Sequence, residues 1–186
     1  MSWTIRPAVS ADAAELSALA ERTFRDAFAA LNTAANMDLH CAGAFSPAIQ
    51  AAEIADPELR TLVAEAQGRM VAFAQVHLQP EPLEGVPIGS AVELRRIYVE
   101  QRFHGTGVAH DLMAHVLQMA TEHGAEAVWL GVWEHNPRAI RFYQRLGFSE
   151  VGAHVFVLGT DPQRDLVMVR RLPPQDRLAA PHGDSR

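Results

Sequence analysis

Between Phe103 and His110 the chain reads His104-Gly105-Thr106-Gly107-Val108-Ala109, three residues after the strand-like run AVELRRIYVE and directly before a long amphipathic stretch. Small residues at the start of a helix let consecutive backbone N–H groups point into one space, where the helix dipole adds partial positive charge. That arrangement binds phosphate. Glycines also open helices for purely steric reasons, so the pair alone does not fix a ligand. Two common phosphate motifs are excluded. The dinucleotide fingerprint needs a third small residue where His110 stands, and the P-loop needs a Lys, whereas all 16 cationic side chains here are Arg. Without Lys there is also no Schiff-base or pyridoxal-phosphate attachment.

The nine His suggest a metal, yet His110, His115 and His123 lack the four-residue spacing of a zinc helix. No metal is expected. The single Cys41 cannot form an internal disulfide, and its apolar helical setting reads as buried rather than nucleophilic. The chain's 186 residues, 48% of them apolar, can bury a core without disulfides. One domain over residues 1–172 is expected, followed by a disordered tail, 173–186, that lacks apolar periodicity. MSWTIR has no apolar leader core, and no window approaches the roughly 18 apolar residues of a membrane span, so the expected location is cytoplasmic. A net charge of −6 argues against a nucleic-acid partner. The charge is uneven: residues 1–66 carry nine acids and four Arg, a balance of −5, against thirteen acids and twelve Arg in the remainder. A site built on the front third would favour cations.

These residues need elements to position them. WTIRPA suits a short strand, and Asp12 with Glu15 resembles a capping box before a helix over about 12–31. Helices follow over about 36–44 and 47–55, the last with Ser46 as N-cap and Pro47 in its first turn. The period then becomes extended. RTLVAEA and MVAFAQVHL are joined by Gln67-Gly68-Arg69, a hairpin signal, and PEPLEGVPIGS reads as a loop. AVELRRIYVE is a strand, FHGTGVAHDLMAHVLQMATEH a helix closed by Gly124, AVWLGVW a buried strand, and NPRAIRFYQRLGF a helix that Gly147 ends. Strands over about 150–158 and 165–171 complete a mixed α/β pattern.

LRRIYV, HGTGVA and NPRAIRFYQRLGF, in this order and at this separation, resemble the GNAT superfamily of acetyl-CoA-dependent N-acetyltransferases. NMDLHCAGAFSP, WLGVWEHNPRAIRFYQRLGF and VGAHVFVLGTDPQRDLVMV are similar to the bacterial spermidine/spermine N-acetyltransferases of the PaiA type. The resemblance implies a mostly antiparallel twisted sheet of six to seven strands flanked by helices, with splayed central strands that hold the cofactor. It implies acetyl transfer from acetyl-CoA to a primary amine, polyamines first. A protein N-terminus or lysine is the alternative acceptor, and a silent acetyl-CoA-binding module the alternative class. Many members of the superfamily dimerise, so a homodimer is among the expected assemblies.

Residue by residue, the resemblance places pantetheine against the backbone of Ile97, Tyr98 and Val99, with the Val99 N–H as oxyanion donor. It places the pyrophosphate on His104, Gly105, Thr106, Gly107, Val108 and Ala109. The family usually has Gln or Arg where His104 stands, which raises the expectation of pH-dependent cofactor binding. Asn136 matches a cofactor-contacting Asn and is equally suited to cap the helix that follows. Tyr143 matches the Tyr that serves as general acid toward the thiolate, and Glu93 stands where such enzymes often place a base. Glu93 could equally pair with Arg95 or Arg96. Glu134 is the backup candidate base, equally readable as a solvated acid at a strand end, and His154 is a candidate lining residue of the acceptor pocket.

Overall fold

The computed structural model describes residues 2–86 and 90–173. In chain order these form β1 (Thr4–Pro7), α1 (Ala13–Phe28), α2 (Ala34–Ala44), α3 (Pro47–Ala55), β2 (Leu59–Ala66), β3 (Arg69–His77), β4 (Ala91–Val99), α4 (Val108–Glu122), β5 (Ala127–Trp133), α5 (Pro137–Arg145), β6 (Ser149–Leu158) and β7 (Asp161–Arg171). The seven strands make one sheet in the order β1-β2-β3-β4-β5-β7-β6. Every neighbouring pair is antiparallel except β4 and β5. The mixed α/β expectation holds, with seven strands.

Alternation along the strands divides the core into two layers. On β3, Ala72, Ala74 and Val76 face one way and pack with Val108, Leu112, Met113 and Val116 of α4. Phe73 faces the other way and packs with Leu16, Leu19 and Phe24 of α1, and with Met37, Cys41 and Phe45. The sheet is therefore sandwiched between α4 and α5 behind and α1 to α3 in front. Cys41 is buried, and burial raises its thiol pKa, so it behaves as a core residue.

Local chemistry explains most boundaries. Gln67 and Gly68 both have positive φ, 54° and 72°, the geometry that a two-residue hairpin turn requires. The Ser46 hydroxyl accepts from the Ile49 N–H and caps α3. The capping box expected at Asp12 and Glu15 does not form. The Asp12 carboxylate is held by Arg6 at 2.6 and 3.0 Å, while Glu15 accepts the Met70 N–H at 2.8 Å. A tertiary ion pair outcompetes the local cap. The first helix also stops at Phe28, and a 3-10 turn carries the chain through Ala29–Leu31. β7 starts at Asp161, four residues earlier than the apolar pattern suggests, because its polar beginning pairs with β6 alone. That one-sided pairing accommodates Pro162, which lacks an N–H to donate. Residues 87–89 of the expected loop and 174–186 of the expected tail lie outside the described residues.

The front layer is tied to the far end of the sheet at one place. The Asn36 side-chain oxygen accepts from the N–H and hydroxyl of Thr160, both at 3.0 Å, and Gln163 donates to Asn32 at 2.6 Å. Gly159 makes this approach feasible: its φ is +63°, and a Cβ there would stand 2.7 Å from the Asn36 Cα. Gly159→Ala is expected to cost about 1–3 kcal/mol through backbone strain and overpacking. Urea denaturation checks this, and an unchanged midpoint would mean that the contact is not maintained in solution.

Candidate active site

β4 and β5 pair through Ala91, Val92 and Glu93 against Ala127, Val128 and Trp129, and then part. A bulge in the β3–β4 ladder between Gln75 and Val76, opposite Leu94 to Arg96, lies just beyond the last pair. Bulges bend and twist the strand that carries them. The hydrogen-bond phase of β4 beyond the bulge follows from the Glu100 N–H, which donates to the Val71 carbonyl at 2.9 Å. Alternation in an antiparallel ladder then turns the N–H and C=O of Tyr98 toward β3, and those of Ile97 and Val99 into the gap. Of the three strand residues expected to meet pantetheine, Ile97 and Val99 thus present backbone to the gap and Tyr98 does not. The Tyr98 ring lies on the front face, 5.7 Å from Phe73 and 6.0 Å from Phe24 between centroids.

At the end of β4 the chain turns through His104 into α4. Gly105 and Gly107 have φ of +77° and +105°, which only Gly adopts readily. Gly107 is the N-cap of α4 and has no side chain to satisfy the helix's first N–H groups. The N–H groups of Gly105, Gly107, Val108 and Ala109 are therefore available to an anion. Thr106 is different. Its N–H and hydroxyl both turn back to the Phe103 carbonyl, at 3.3 and 2.7 Å.

His104 is fixed by its partners. The Arg138 guanidinium can only donate, and it lies 2.9 Å from Nδ1; Nε2 lies 2.9 Å from the Val99 carbonyl, which can only accept. Both contacts hold together only if His104 is the neutral Nε2–H tautomer. The ring does not face the loop as a free donor, contrary to its expected direct role, and the cation beside the loop is Arg138 from the first turn of α5. Asn136 accepts the Ala139 N–H at 3.1 Å, capping α5, while its amide NH2 stays available.

Tyr143 lies on the inner face of α5, only 8% exposed, edge-on to Phe142 and Phe148. Burial raises its pKa, so the phenol stays protonated. Glu93 stands at the foot of the gap, 3.8 Å from His77. Burial raises its carboxyl pKa, opposed by Arg95, His77 and Arg96. Neither arginine pairs with it: Arg96 bonds Glu53 at 2.8 Å and Arg95 lies 3.6 Å from the same acid. Glu134 is bonded to Arg164 at 2.9 Å, a solvated ion pair.

Glu93, Ile97, Val99, His104, Gly105, Gly107, Ala109, Asn136, Arg138 and Tyr143 line one continuous cleft of about 1010 Å³ that passes through the sheet from the α4–α5 side to the α1–α2 side; Glu134, Thr106 and Val108 are not part of its lining. On the front side its wall is aromatic, with Phe24, Phe28, Trp133 and Phe156, and His40 stacks 4.4 Å from Phe24. His154 and Asp165 complete that wall, beside Gly131 of the diverging β5. Sequence reasoning missed Arg138, Gly131 and Asp165. A glycine inside the buried run AVWLGVW is a signal of close approach that could have found the second of these. No helix among the described residues is long and apolar enough to cross a membrane.

Comparison with known proteins agrees with this geometry. The model of the acetyltransferase (GNAT) family matches residues 20–148. An uncharacterized N-acetyltransferase of Mycobacterium tuberculosis is 38% identical over 165 residues, which is 87% of this chain and 98% of the relative. A spermine/spermidine N(1)-acetyltransferase of Bacillus subtilis is 33% identical over 84 residues, 45% of this chain and 55% of that protein. Among solved structures, a PaiA N-acetyltransferase from Thermoplasma acidophilum in complex with coenzyme A shares the fold, with a TM-score of 0.77 at 18% identity over 92% of this chain and all of that one. The chain is an N-acetyltransferase that belongs to the GNAT family.

Proposed function

We propose that the protein transfers an acetyl group from acetyl-CoA directly to a small primary amine, with polyamines as the first acceptors. The observation that carries this reading is the cleft through the sheet. One mouth holds a bare helix start with Arg138, the middle holds the free backbone of a parted strand, and the other mouth is aromatic and acidic.

The residues present fit acetyl-CoA. The N–H groups of Gly105, Gly107, Val108 and Ala109, with Arg138, would hold the pyrophosphate, and Gly107 leaves the helix start uncapped for it. Ile97 and Val99 would hold pantetheine by backbone pairing, with Asn136 alongside. Bound there, acetyl-CoA supplies an activated thioester acyl group. The Val99 N–H points into the gap and serves as hydrogen-bond donor to the acyl oxygen; its carbonyl is already bonded to His104, which keeps this peptide unit fixed. Tyr143, kept protonated by burial, donates a hydrogen bond toward the departing sulfur. The front mouth excludes water with Phe24, Phe28, Trp133 and Phe156, while the carboxylates of Glu93 and Asp165 attract a cationic amine.

The contact of Asn32 and Asn36 with the β6–β7 hairpin bridges this mouth. A bridged mouth favours a flexible small amine over a folded protein's terminus or lysine. The partial match to a spermine/spermidine acetyltransferase supports the same choice.

Thiol release from acetyl-CoA is expected with spermidine and spermine, and with a short peptide only weakly. Coenzyme A binding without release toward any of these would favour the silent module. Tyr143→Phe is expected to lower kcat about 100-fold with little change in coenzyme A affinity, measured by steady-state kinetics and calorimetry. Arg138→Ala is expected to weaken coenzyme A binding about 10-fold, the scale of one charge-assisted contact. An unchanged dissociation constant would remove Arg138 from the proposed pyrophosphate site.

A further inference from the structure

The acceptor wall contains two polar side chains that the fold leaves unsatisfied. His154 on β6 and Asp165 on β7 stand directly opposite each other in the ladder. His154 Nε2 and Asp165 Oδ1 are both buried and have no hydrogen-bond partner among the described residues. Such atoms are costly to bury, and those in a folded protein call for an explanation. Both side chains converge on β5 just where it has parted from β4. A Cβ built on Gly131 would lie 2.6 Å from His154 Nε2, so a side chain there would displace the imidazole, and 3.5 Å from Asp165 Oδ2, an ordinary contact.

The charges around Asp165 are the wrong sign for a structural ion pair. Burial pushes its carboxyl up to about 6, and the charge acting on it is another acid, Glu134, on the same edge of the cleft. Arg164, next in sequence, is committed to Glu134. Across the gap stands Tyr98, whose phenol pKa is raised first by burial and, against the opposing charge of Arg96, also by Asp165. His154 has its pKa lowered by burial and is neutral at pH 7. Glu93, by contrast, has His77 beside it, lies near Arg95 and Arg96, and sits where β4 and β5 are still paired.

We propose that Asp165, with His154 beside it, is the subsite that receives the attacking ammonium of the acceptor and takes its proton. This rests on the amine acetyltransferase reading above. The ammonium gives one N–H proton to the Asp165 carboxylate and becomes a neutral amine with a free lone pair. That nitrogen then forms the bond to the acyl carbon as the carbon–sulfur bond breaks, with the electron pair leaving on sulfur. The nitrogen's second surplus proton goes to solvent, Asp165 returns its own to solvent, and the departing thiolate is met by Tyr143. His154 accepts or donates one hydrogen bond to the amine through Nε2 and so orients the lone pair.

Two measurements test this, on the full chain. In the first, Asp165→Asn, His154→Gln and Glu93→Gln are compared with wild type for acetylation of spermidine and of hexylamine, which has no second charge. Asp165→Asn is expected to lose about 100-fold in kcat/KM for both amines at pH 7.5, and to recover most of it at pH 10, where the amine is already neutral. His154→Gln is expected to lose about 10-fold, chiefly in KM, and Glu93→Gln less than Asp165→Asn. The second measurement needs no turnover. A carboxyl whose pKa is raised in the fold binds more protons folded than unfolded between about 4 and 6, so its ionisation destabilises the fold as pH rises through that window. Asp165→Asn should therefore raise Tm at pH 7.5 and leave it unchanged at pH 4. A lowered Tm at pH 7.5 would make Asp165 a structural residue. Undiminished activity of Asp165→Asn, a loss confined to spermidine, or a loss not relieved at pH 10 would each overturn the proposal while leaving the acetyltransferase reading intact. A wild type that binds coenzyme A but acetylates no amine would overturn both, before any variant is made.

Discussion

The structure turns on a sheet whose two halves are joined by only three residue pairs. From Glu93 onward β4 pairs with β3 on one side, and β5 pairs along its length with β7 on the other, yet the two face each other across a gap beyond Glu93 and Trp129. Buried backbone groups left without partners are costly, so such a gap persists only where something can occupy it. The bulge opposite Gln75 and Val76 turns β4 away, and the odd-numbered residues Ile97 and Val99 are left with their backbone toward the opening. The proposed cofactor cleft follows from this parting of strands.

Single polar links hold the two banks of the gap in position. His104 joins the last carbonyl of β4 to the first turn of α5, which starts only a few residues after β5 ends. Its neutral tautomer is dictated by an Arg on one nitrogen and a carbonyl on the other. On the β4 side, Glu100 is buried and gathers Arg22 of α1, Arg69 of β3 and Arg102 of the following turn at 2.5, 3.3 and 2.7 Å. These are partly exposed arginines around one enclosed carboxylate, so the arrangement fixes the geometry of the β4 end more than it adds stability.

The front and back of the cleft differ in the way the chemistry proposed for them requires. The back is lined by small residues, backbone amides and a guanidinium, which suit an anion. The front is aromatic, carries Asp165 without a cationic partner, and is bridged by Asn32 and Asn36. Keeping an unpaired carboxylate half-buried lowers the stability of the free protein, a common cost at functional sites.

Much of the fold was legible in the sequence, because periodicity, glycine placement and proline placement act over a few residues. The hairpin at Gln67-Gly68, the caps at Ser46 and Asn136, and the stop at Gly147 follow from local sterics and hydrogen bonding. The glycine-opened helix was legible for the same reason, and with it the amide cradle of the back mouth. The failures came from side-chain hydrogen bonds that periodicity does not report. Asp12 left its expected cap for Arg6, the Thr106 N–H and hydroxyl turned back to the Phe103 carbonyl, and His104 was claimed by the nearby Val99 carbonyl and by Arg138 of α5. Arg138 and Asp165 carried no signal, since a lone Arg or Asp in a polar pattern reads the same whether it faces solvent or a cleft. Sequence alone determined which elements form and which residue types are near the gap. Which side chains converge on it was decided only by sheet order and register, since contacts between residues tens of positions apart depend on how strands are paired and not on any local preference.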